Sequence, residues 1–358
     1  MLVDFTRRVQ GITELAGVQH GTRNVTLAPT EVLKETRFEW HEKMLPESVT
    51  GVLADEQVNP LNRVGTFVWE RHAPGEASSE ELEKEGDKIG LYLHGGGYSH
   101  FSAHENAQTS VIPRRLMENN QFASIYAVEY RLLPNPFPAA LQDAATVYCD
   151  LVLRKHIPPE KIIIIGDSAG GNVALALARW IREEQRVGQA GGMILLSPWC
   201  DPAHSFPETV SSYIPRPNPE DYLADEPAGR ILLVANLLGH HPRSYVTDPY
   251  ISPASQLGPA GCFDHFPPTF IHYGDAERLQ KEIEHLIFGM KRDGVPTEVE
   301  MTPDGVHDLL MVRFWNEDVR SHIYERIEGW LNGLGNGAAA SQGTLVQVDS
   351  DEDVKGIA

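Results

Sequence analysis

Cysteine is scarce in this chain, and long apolar runs are absent. Only three cysteines occur among 358 residues, Cys149, Cys200 and Cys262. They form no CxxC pair, which argues against a disulfide scaffold or a cysteine zinc site and suits a reducing compartment. No apolar run approaches the roughly 18 residues that span a bilayer, and the first residues do not resemble a signal peptide. We therefore expect a cytoplasmic protein with no membrane span.

Positive charge is also in short supply. The chain has 30 Lys and Arg against 50 Asp and Glu, which gives a formal net charge of −20. Because the basic residues are scattered singly or in pairs, the field of the chain would repel nucleic acids and anionic membranes. Neither is expected as a partner. The hydrophobic content of 41% is enough for a sizeable core.

Strand-like and helical stretches alternate from residue 62 onward. The strand candidates are NRVGTFVWERH, KIGLYLHGGG, FASIYAVEYRLL, EKIIIIGDS, GGMILLSPW, PPTFIHYG and PTEVEMTP. Amphipathic helical stretches follow the third and fourth of these candidates. The continuous apolar run in EKIIIIGDS suits a strand that is buried on both faces. This order predicts an α/β fold with a central, mostly parallel sheet flanked by helices.

The remaining segments divide the chain into one sheet domain with additions. Residues 1–50 indicate one or two helices without strand-like alternation. Residues 201–252 are rich in Pro, His and Asp around one helical stretch and predict an insertion that packs with those helices. The sheet domain then comprises residues 51–200 and 253–332. Residues 333–358 are small, polar and acidic, which predicts a flexible tail.

A nucleophile motif follows the most apolar strand candidate. The segment GDSAGG (166–171) directly follows the IIII run and opens a helix, so it fits the G-x-S-x-G nucleophile elbow. Glycines two positions either side of Ser168 keep such a sharp turn free of clashes. A phosphate-binding junction is the alternative. The GDSGG motif of chymotrypsin-like proteases is disfavoured because a buried strand and a helix flank the serine here.

Three consecutive glycines precede this motif by some seventy residues. The segment HGGGY (94–98) ends a strand candidate, and its glycines can aim backbone N–H groups at a ligand. No GK[ST] or GxGxxG pattern accompanies it, which disfavours a nucleotide-binding loop. We predict an oxyanion hole made of the amides of Gly96, Gly97 and Ala169, the residue after the serine.

HGGGY, YRLLPNPFPAALQDA and GDSAGG, in this order, resemble the hormone-sensitive lipase family of α/β-hydrolases. The resemblance runs from about residue 60 to residue 332. Leu133 and Asn135 depart from the Ala and Glu that the family has in the middle motif, and one residue before Pro136 is missing. The resemblance implies an α/β-hydrolase fold with a helical cap and a serine carboxylesterase activity that needs no cofactor or metal.

The base and the acid of a catalytic triad are sought after the serine, because α/β-hydrolases order the triad as Ser, acid, His. His307 follows a strand candidate and a Pro-Asp-Gly turn, and it matches the family position. The family frame, an acid followed by one variable residue and Leu, favours Glu277, with Asp275 as the alternative. Asp308 is set aside on the expectation that a neighbouring residue cannot easily turn back onto the histidine ring.

The adjacent histidines His240 and His241 lie in the predicted insertion. They have no carboxylate or further histidine at ligand spacing in the sequence, so we interpret them as part of a loop and not as a metal site.

In the family, N-terminal helices and an insertion form a cap over the serine, and residues 1–50 and 201–252 are similar in placement. Substrate-lining candidates are Tyr98, Phe206, Tyr213 and Leu233. Such a cap favours short- to medium-chain acyl esters of small alcohols. Amidase, formamidase and lactonase activities use the same machinery and remain alternatives, as does a non-catalytic small-molecule receptor. The expected partner is a small-molecule ester, with a homodimer as one option.

Overall fold

The computed structural model describes residues 24–71, 88–118, 121–205, 218, 221–223, 227–257 and 263–334. These residues form one eight-stranded sheet with the order β1-β2-β4-β3-β5-β6-β7-β8. The strands are β1 (Thr36–Glu42), β2 (Arg63–Glu70), β3 (Lys88–Leu93), β4 (Phe122–Val128), β5 (Ile162–Asp167), β6 (Gly192–Leu196), β7 (Thr269–Gly274) and β8 (Thr297–Thr302). The pairs β1–β2 and β2–β4 are antiparallel, and the other pairs are parallel.

Helices cover both faces of this sheet. They are α1 (Val111–Glu118), α2 (Ala139–Cys149), α3 (Ala169–Glu184), α4 (Pro227–Leu238), α5 (Gln280–Arg292) and α6 (Glu317–Gly333). Helices α2, α3 and α5 contribute to one buried apolar cluster, whereas α1 and α6 contribute to the other. Every residue of β5 is buried, as its continuous apolar run predicted. The prediction of a mostly parallel sheet flanked by helices is confirmed.

One prediction about the N-terminal region is wrong. Residues 1–50 were expected to be helical, but Thr36–Glu42 form the edge strand β1, paired antiparallel with β2. The reason is an alternation of side chains along this segment. The ring of Phe38 packs 5.2 Å from that of Phe67, whereas His41 points the other way and bonds to Asp150 and Thr66. The predicted helices before residue 24 lie outside the described residues.

The segment between β6 and β7 behaves as its composition predicts. In the part of residues 201–252 that the structure describes, there is one α-helix, α4, and no strand. Its assignment to a cap remains a prediction. Helix α6 ends at Gly333, and the predicted tail beyond residue 334 lies outside the described residues. None of the described helices combines the length and apolarity that a bilayer crossing requires.

A buried ion pair fixes the loop that connects β4 to α2. The Arg131 side chain donates to both carboxylate oxygens of Asp143, with an Nε–Oδ2 distance of 2.9 Å and an Nη2–Oδ1 distance of 2.9 Å. Arg131 also donates to the Asn59 and Ala139 carbonyls. Both side chains are buried. The guanidinium therefore joins α2 to the segment at Asn59, and its loss would leave a buried carboxylate without its counter-charge.

We expect Arg131→Met to lower the free energy of unfolding by about 3–5 kcal/mol, because Asp143 would remain buried and unpaired. Urea denaturation followed by circular dichroism measures this loss. Arg326→Met removes an exposed ion pair to Glu298 and Glu300 and is the control, with an expected cost of about 0–1 kcal/mol. An equal cost for the two variants would contradict the structural role of Arg131.

Candidate active site

Ser168 lies at the tight turn between β5 and α3. Its backbone has φ 49° and ψ −117°, a conformation that is strained for a residue with a side chain. The turn is possible because two glycines flank it. A Cβ atom on Gly166 would lie 2.4 Å from the Gly170 carbonyl oxygen, and one on Gly170 would lie 1.9 Å from that of Leu93. The sequence therefore folds into the strand–turn–helix geometry of a nucleophile elbow, with a partly exposed serine.

His307 is brought to this serine from the loop after β8. Its Nε2 atom lies 2.8 Å from Ser168 Oγ, and the residue is 2% exposed. The backbone N–H of His307 donates to Asp221 Oδ1 at 3.3 Å, which anchors the loop to the inserted segment. A hydroxyl within hydrogen-bonding distance of an imidazole nitrogen is the arrangement that activates a serine nucleophile. The structure thus brings together the predicted serine and histidine.

The two acid candidates have different surroundings. Glu277 is fully buried, and its Oε2 accepts hydrogen bonds from Ser197 Oγ at 2.6 Å and from the Gly274 amide. Its Oε1 has no hydrogen-bond partner among the described residues. Asp275 is partly exposed, and its Oδ1 accepts the amide of Asp304 at 2.6 Å. The Asp275 carboxylate is therefore engaged with the loop after β8, whereas Glu277 keeps one buried oxygen available.

The expectation that the Asp308 carboxylate cannot turn back onto the His307 ring is wrong. Asp308 adopts a left-handed backbone conformation, with φ 47°, and its Oδ2 lies 3.3 Å from His307 Nε2. A neighbouring carboxylate therefore does reach the ring. However, Nε2 is the nitrogen that faces Ser168, whereas a triad acid holds the opposite nitrogen, Nδ1. Asp308 thus contacts the reacting edge of the imidazole and does not occupy the position of the orienting acid.

Four buried carboxyl groups surround the serine and the histidine: Asp167, Asp221, Glu277 and Asp308. Burial raises the pKa of Glu277 to about 8 and that of Asp167 to about 7. Burial, followed by the negative charge of the other three groups, also raises the pKa of Asp308. Carboxylates crowded in a site of low polarity cannot all ionise together. At neutral pH the site therefore retains protons on carboxyl groups that would be ionised if they were exposed to solvent.

The loop formed by HGGGY (94–98), here called the glycine loop, is tied to the elbow by Asp167. Its Oδ1 accepts the Tyr92 hydroxyl at 2.6 Å, and its Oδ2 accepts the Gly95 amide at 2.8 Å. Gly96 and Gly97 have positive φ angles of 111° and 59°. Their carbonyl and amide groups consequently point in directions that other residues rarely allow.

The three predicted oxyanion donors are Gly96, Gly97 and Ala169. Their amides donate to no acceptor among the described residues. Ala169 is the first residue of α3, where the helix dipole favours a negative charge. These amides remain available to a ligand next to Ser168, and their role as an oxyanion hole remains a prediction.

Two of the four predicted substrate-lining residues can be placed. Tyr98 is buried, and its hydroxyl donates to Asn172 Oδ1 at 2.7 Å. Leu233 of α4 lies over the glycine loop, since its Cδ2 is 3.7 Å from the position that a Cβ on Gly97 would occupy. Phe206 and Tyr213 lie outside the described residues.

A cleft adjoins Tyr98 on the side of α4. Its walls include Tyr98, Pro136, Phe137, Leu141, Val173 and Leu237. These side chains are mainly apolar, and the cleft between them is small.

Three residues near the site were not singled out from the sequence. Asn172 accepts the Tyr98 hydroxyl, Asp221 accepts the His307 amide, and Ser197 joins Glu277 to the backbone of Asp308. Ser197 directly follows β6, so the rule that ligands bind at the carboxyl ends of parallel strands could have found it. Asp221 lies in an irregular segment, and no sequence pattern marks it.

A protein-family model described as alpha/beta hydrolase fold matches residues 90–311. Among curated proteins, an acetyl-hydrolase of Streptomyces hygroscopicus is 30% identical over 218 residues, which is 61% of this chain and 66% of that protein. Esterase LipU of Mycobacterium tuberculosis is 28% identical over 61% of this chain and 69% of its own length. The chain thus spans about two thirds of these relatives.

Solved structures of similar fold include a hormone-sensitive lipase from a metagenome library. It is 26% identical, with a TM-score of 0.60, and the match covers 75% of this chain and 80% of that one. A hormone-sensitive lipase homologue, EstE7, also from a metagenome library, has a TM-score of 0.63 and 23% identity, with 93% and 98% of the chains covered. At that identity the second likeness supports the fold alone.

The raised pKa of Glu277 predicts a pH-dependent contribution to stability. Its pKa is about 8 in the folded chain against an ordinary value of 4.5, so its contribution is fully present below pH 4.5. That contribution is lost as the pH rises towards 8, with a slope of at most about 1.4 kcal/mol per pH unit. We expect the stability difference between the wild type and Glu277→Gln to shrink from pH 5 to 8 in urea titrations.

Glu284→Gln, a partly exposed position on α5, controls for exchanging a carboxyl for an amide. A Glu277→Gln difference that stays constant over this pH range would contradict the raised pKa.

Proposed function

The chain belongs to the alpha/beta hydrolase fold family, as its motifs predicted, and on that premise we propose that it is a serine carboxylic ester hydrolase acting through Ser168, His307 and Glu277. The observation that carries the proposal is the 2.8 Å separation of Ser168 Oγ and His307 Nε2 at a strained elbow. The similarity to an acetyl-hydrolase and an esterase supports ester substrates.

The first half of the reaction forms an acyl-enzyme. Neutral His307 accepts the Ser168 proton at Nε2 while Oγ attacks the ester carbonyl. The carbonyl oxygen becomes an oxyanion, which the amides of Gly96, Gly97 and Ala169 stabilise as hydrogen-bond donors. Each such donor contributes about 10²–10³ in rate. His307 then gives its proton to the leaving alcohol, which departs and leaves the acyl group on Ser168.

The second half of the reaction returns the enzyme to its starting state. A water molecule replaces the alcohol, and His307 removes its proton as it attacks the acyl carbonyl. The same amides stabilise the second oxyanion. Collapse of this intermediate breaks the bond to Ser168 Oγ, which recovers its proton from His307. The products are a carboxylic acid and the free enzyme, and the protons balance over one turnover.

We assign the acid of the triad to Glu277. Full burial, the hydrogen bond from Ser197 and the available Oε1 atom support this choice. A carboxylate at this position stabilises the imidazolium that forms when His307 takes the serine proton. The imidazolium charge in turn favours ionised Glu277, because an opposite charge lowers the pKa that burial has raised.

We further propose short- to medium-chain acyl esters of small alcohols as the substrate class. Tyr98 is buried at the end of the glycine loop, and Leu233 of α4 lies against Gly97 of the same loop. The space around the predicted oxyanion site is therefore restricted on the side of the inserted segment. The net charge of −20 favours neutral esters over anionic ones.

The proposal predicts that Ser168→Ala lowers kcat on p-nitrophenyl butyrate by at least about 10³-fold, because only substrate binding and the oxyanion donors remain. The wild type is expected to hydrolyse the butyrate faster than the decanoate. Steady-state assays over this ester series measure both results, and a fluorophosphonate probe is expected to label the wild type at Ser168 alone.

Thermal unfolding of Ser168→Ala provides the control for folding. Undiminished turnover by the folded variant would overturn the assignment of the nucleophile. Faster hydrolysis of the decanoate would refute the chain-length preference and leave the esterase assignment intact.

Replacing the two acid candidates and Asp308 in turn identifies the acid. Glu277→Gln is expected to lower kcat by about 10⁴-fold, since the imidazolium then lacks its counter-charge. Asp275→Asn keeps an oxygen that can accept the Asp304 amide, so we expect less than a tenfold loss. Asp308→Asn is expected to fall between the two because it contacts Nε2. A larger loss for Asp275→Asn than for Glu277→Gln would reverse the assignment.

A further inference from the structure

A cluster of ligand-type side chains lies away from the serine, where the inserted segment meets the sheet domain. It consists of Asp55, just after a short 3₁₀ turn (Gly51–Leu53), and the adjacent histidines His240 and His241, just after α4. The sequence indicated no carboxylate near these histidines. The fold supplies one from 185 positions earlier in the chain, so the interpretation of His240 and His241 as a plain loop loses its basis.

The ligand atoms already have the spacing of a metal site. Asp55 Oδ2 lies 2.9 Å from His240 Nε2 and 3.6 Å from His241 Nε2, and one ligand atom from each residue falls within 4.8 Å of the others. Zinc binds nitrogen and oxygen at about 2.1 Å in tetrahedral geometry, which places neighbouring ligand atoms roughly 3.4 Å apart. The two measured separations bracket this value, and the two histidine nitrogens lie within 4.8 Å of each other.

The surroundings of His241 Nε2 are a second observation that favours a bound cation. This atom is buried and has no hydrogen-bond partner among the described residues, and 3.6 Å to Asp55 Oδ2 is too long for a hydrogen bond. The His241 ring is held in place by stacking on Tyr245, with ring centroids 4.5 Å apart. A fixed imidazole whose buried nitrogen points at a carboxylate is what a bound cation would satisfy.

The other oxygen of Asp55 is held by the backbone. Asp55 Oδ1 accepts the amides of Gln57 and Val58, each at 2.7 Å. These bonds orient the carboxylate and leave Oδ2 directed at the histidines. Outer hydrogen bonds of this kind fix metal ligands in position.

We propose that Asp55, His240 and His241 bind a divalent transition-metal ion of the Zn²⁺ class, with water completing the coordination. The donor set of two imidazoles and one carboxylate matches the preference of such ions over Ca²⁺ and Mg²⁺, which take oxygen ligands. The ion joins the end of α4 to the turn at residues 51–53. That turn is itself fixed to α3, since Trp180 Nε1 donates to the Thr50 carbonyl. The ion therefore fastens the inserted segment to the sheet domain.

Isothermal titration of tag-free protein with Zn²⁺ tests the site. We expect one saturable site per chain in the wild type. At free Zn²⁺ a hundredfold above Kd, the ratio of folded to unfolded protein rises about 100-fold, which raises Tm by roughly a few degrees. Mg²⁺ at the same concentration is expected to leave Tm unchanged. Both measurements are independent of ester hydrolysis.

Matched variants locate the site. Asp55→Asn still offers an oxygen to Gln57 and Val58 but loses its charge, and His240→Ala removes one ligand. Each is expected to weaken Zn²⁺ binding at least about tenfold and to abolish the rise in Tm. His322→Ala removes a histidine that is 60% exposed on α6 and is expected to bind Zn²⁺ as the wild type does.

Failure of the wild type to bind one Zn²⁺ saturably would overturn the proposal. Unchanged binding in folded Asp55→Asn and His240→Ala would do so as well, because the metal would then be bound by other histidines. Neither result bears on the esterase assignment, since the cluster is separate from Ser168 and His307.

Discussion

The close approach of three backbone segments at the end of β5 determines the geometry around Ser168. The Gly170 backbone packs so tightly against the Leu93 carbonyl that a methyl group would not fit, and a methyl group on Gly166 would likewise clash with the Gly170 carbonyl. This contact presses the start of α3 onto the end of β3. It therefore places the glycine loop, the serine and the first amide of α3 side by side. The strained backbone of Ser168 is tolerated because the surrounding sheet and helix hold it there.

Electrostatics at this edge of the sheet follow from burial. Asp167, Glu277 and Asp308 are enclosed together, and each has a raised pKa. Asp167 receives hydrogen bonds from Tyr92 and Gly95, and Glu277 receives one from Ser197. These donors compensate part of the cost of burying the carboxylates. A histidine that becomes positively charged during turnover therefore favours ionisation of these acids, because an opposite charge lowers the pKa that burial has raised.

The sequence predicts the central sheet well, because the apolar runs of β5 and β6 and the glycines around Ser168 are local signals. It also predicts that Ser168 and His307 meet, since the motif order requires it. The edge strand β1 was missed because Phe38 and Trp40 alternate over only a few residues between polar neighbours. The proximity of Asp55 to His240, and that of Asp221 to His307, depends on contacts between distant segments. No local pattern in a single sequence encodes such contacts.

The hydrogen bond from the His307 backbone to Asp221 means that the inserted segment also helps to position the histidine loop. Because Asp221 belongs to the stretch between β6 and β7, this stretch is not an independent module that can be exchanged freely among relatives. A chimaera that received a foreign insertion without a carboxylate at this point would leave the histidine loop without one of its anchors. The position of His307 beside Ser168 would then depend on which insertion the chain carries.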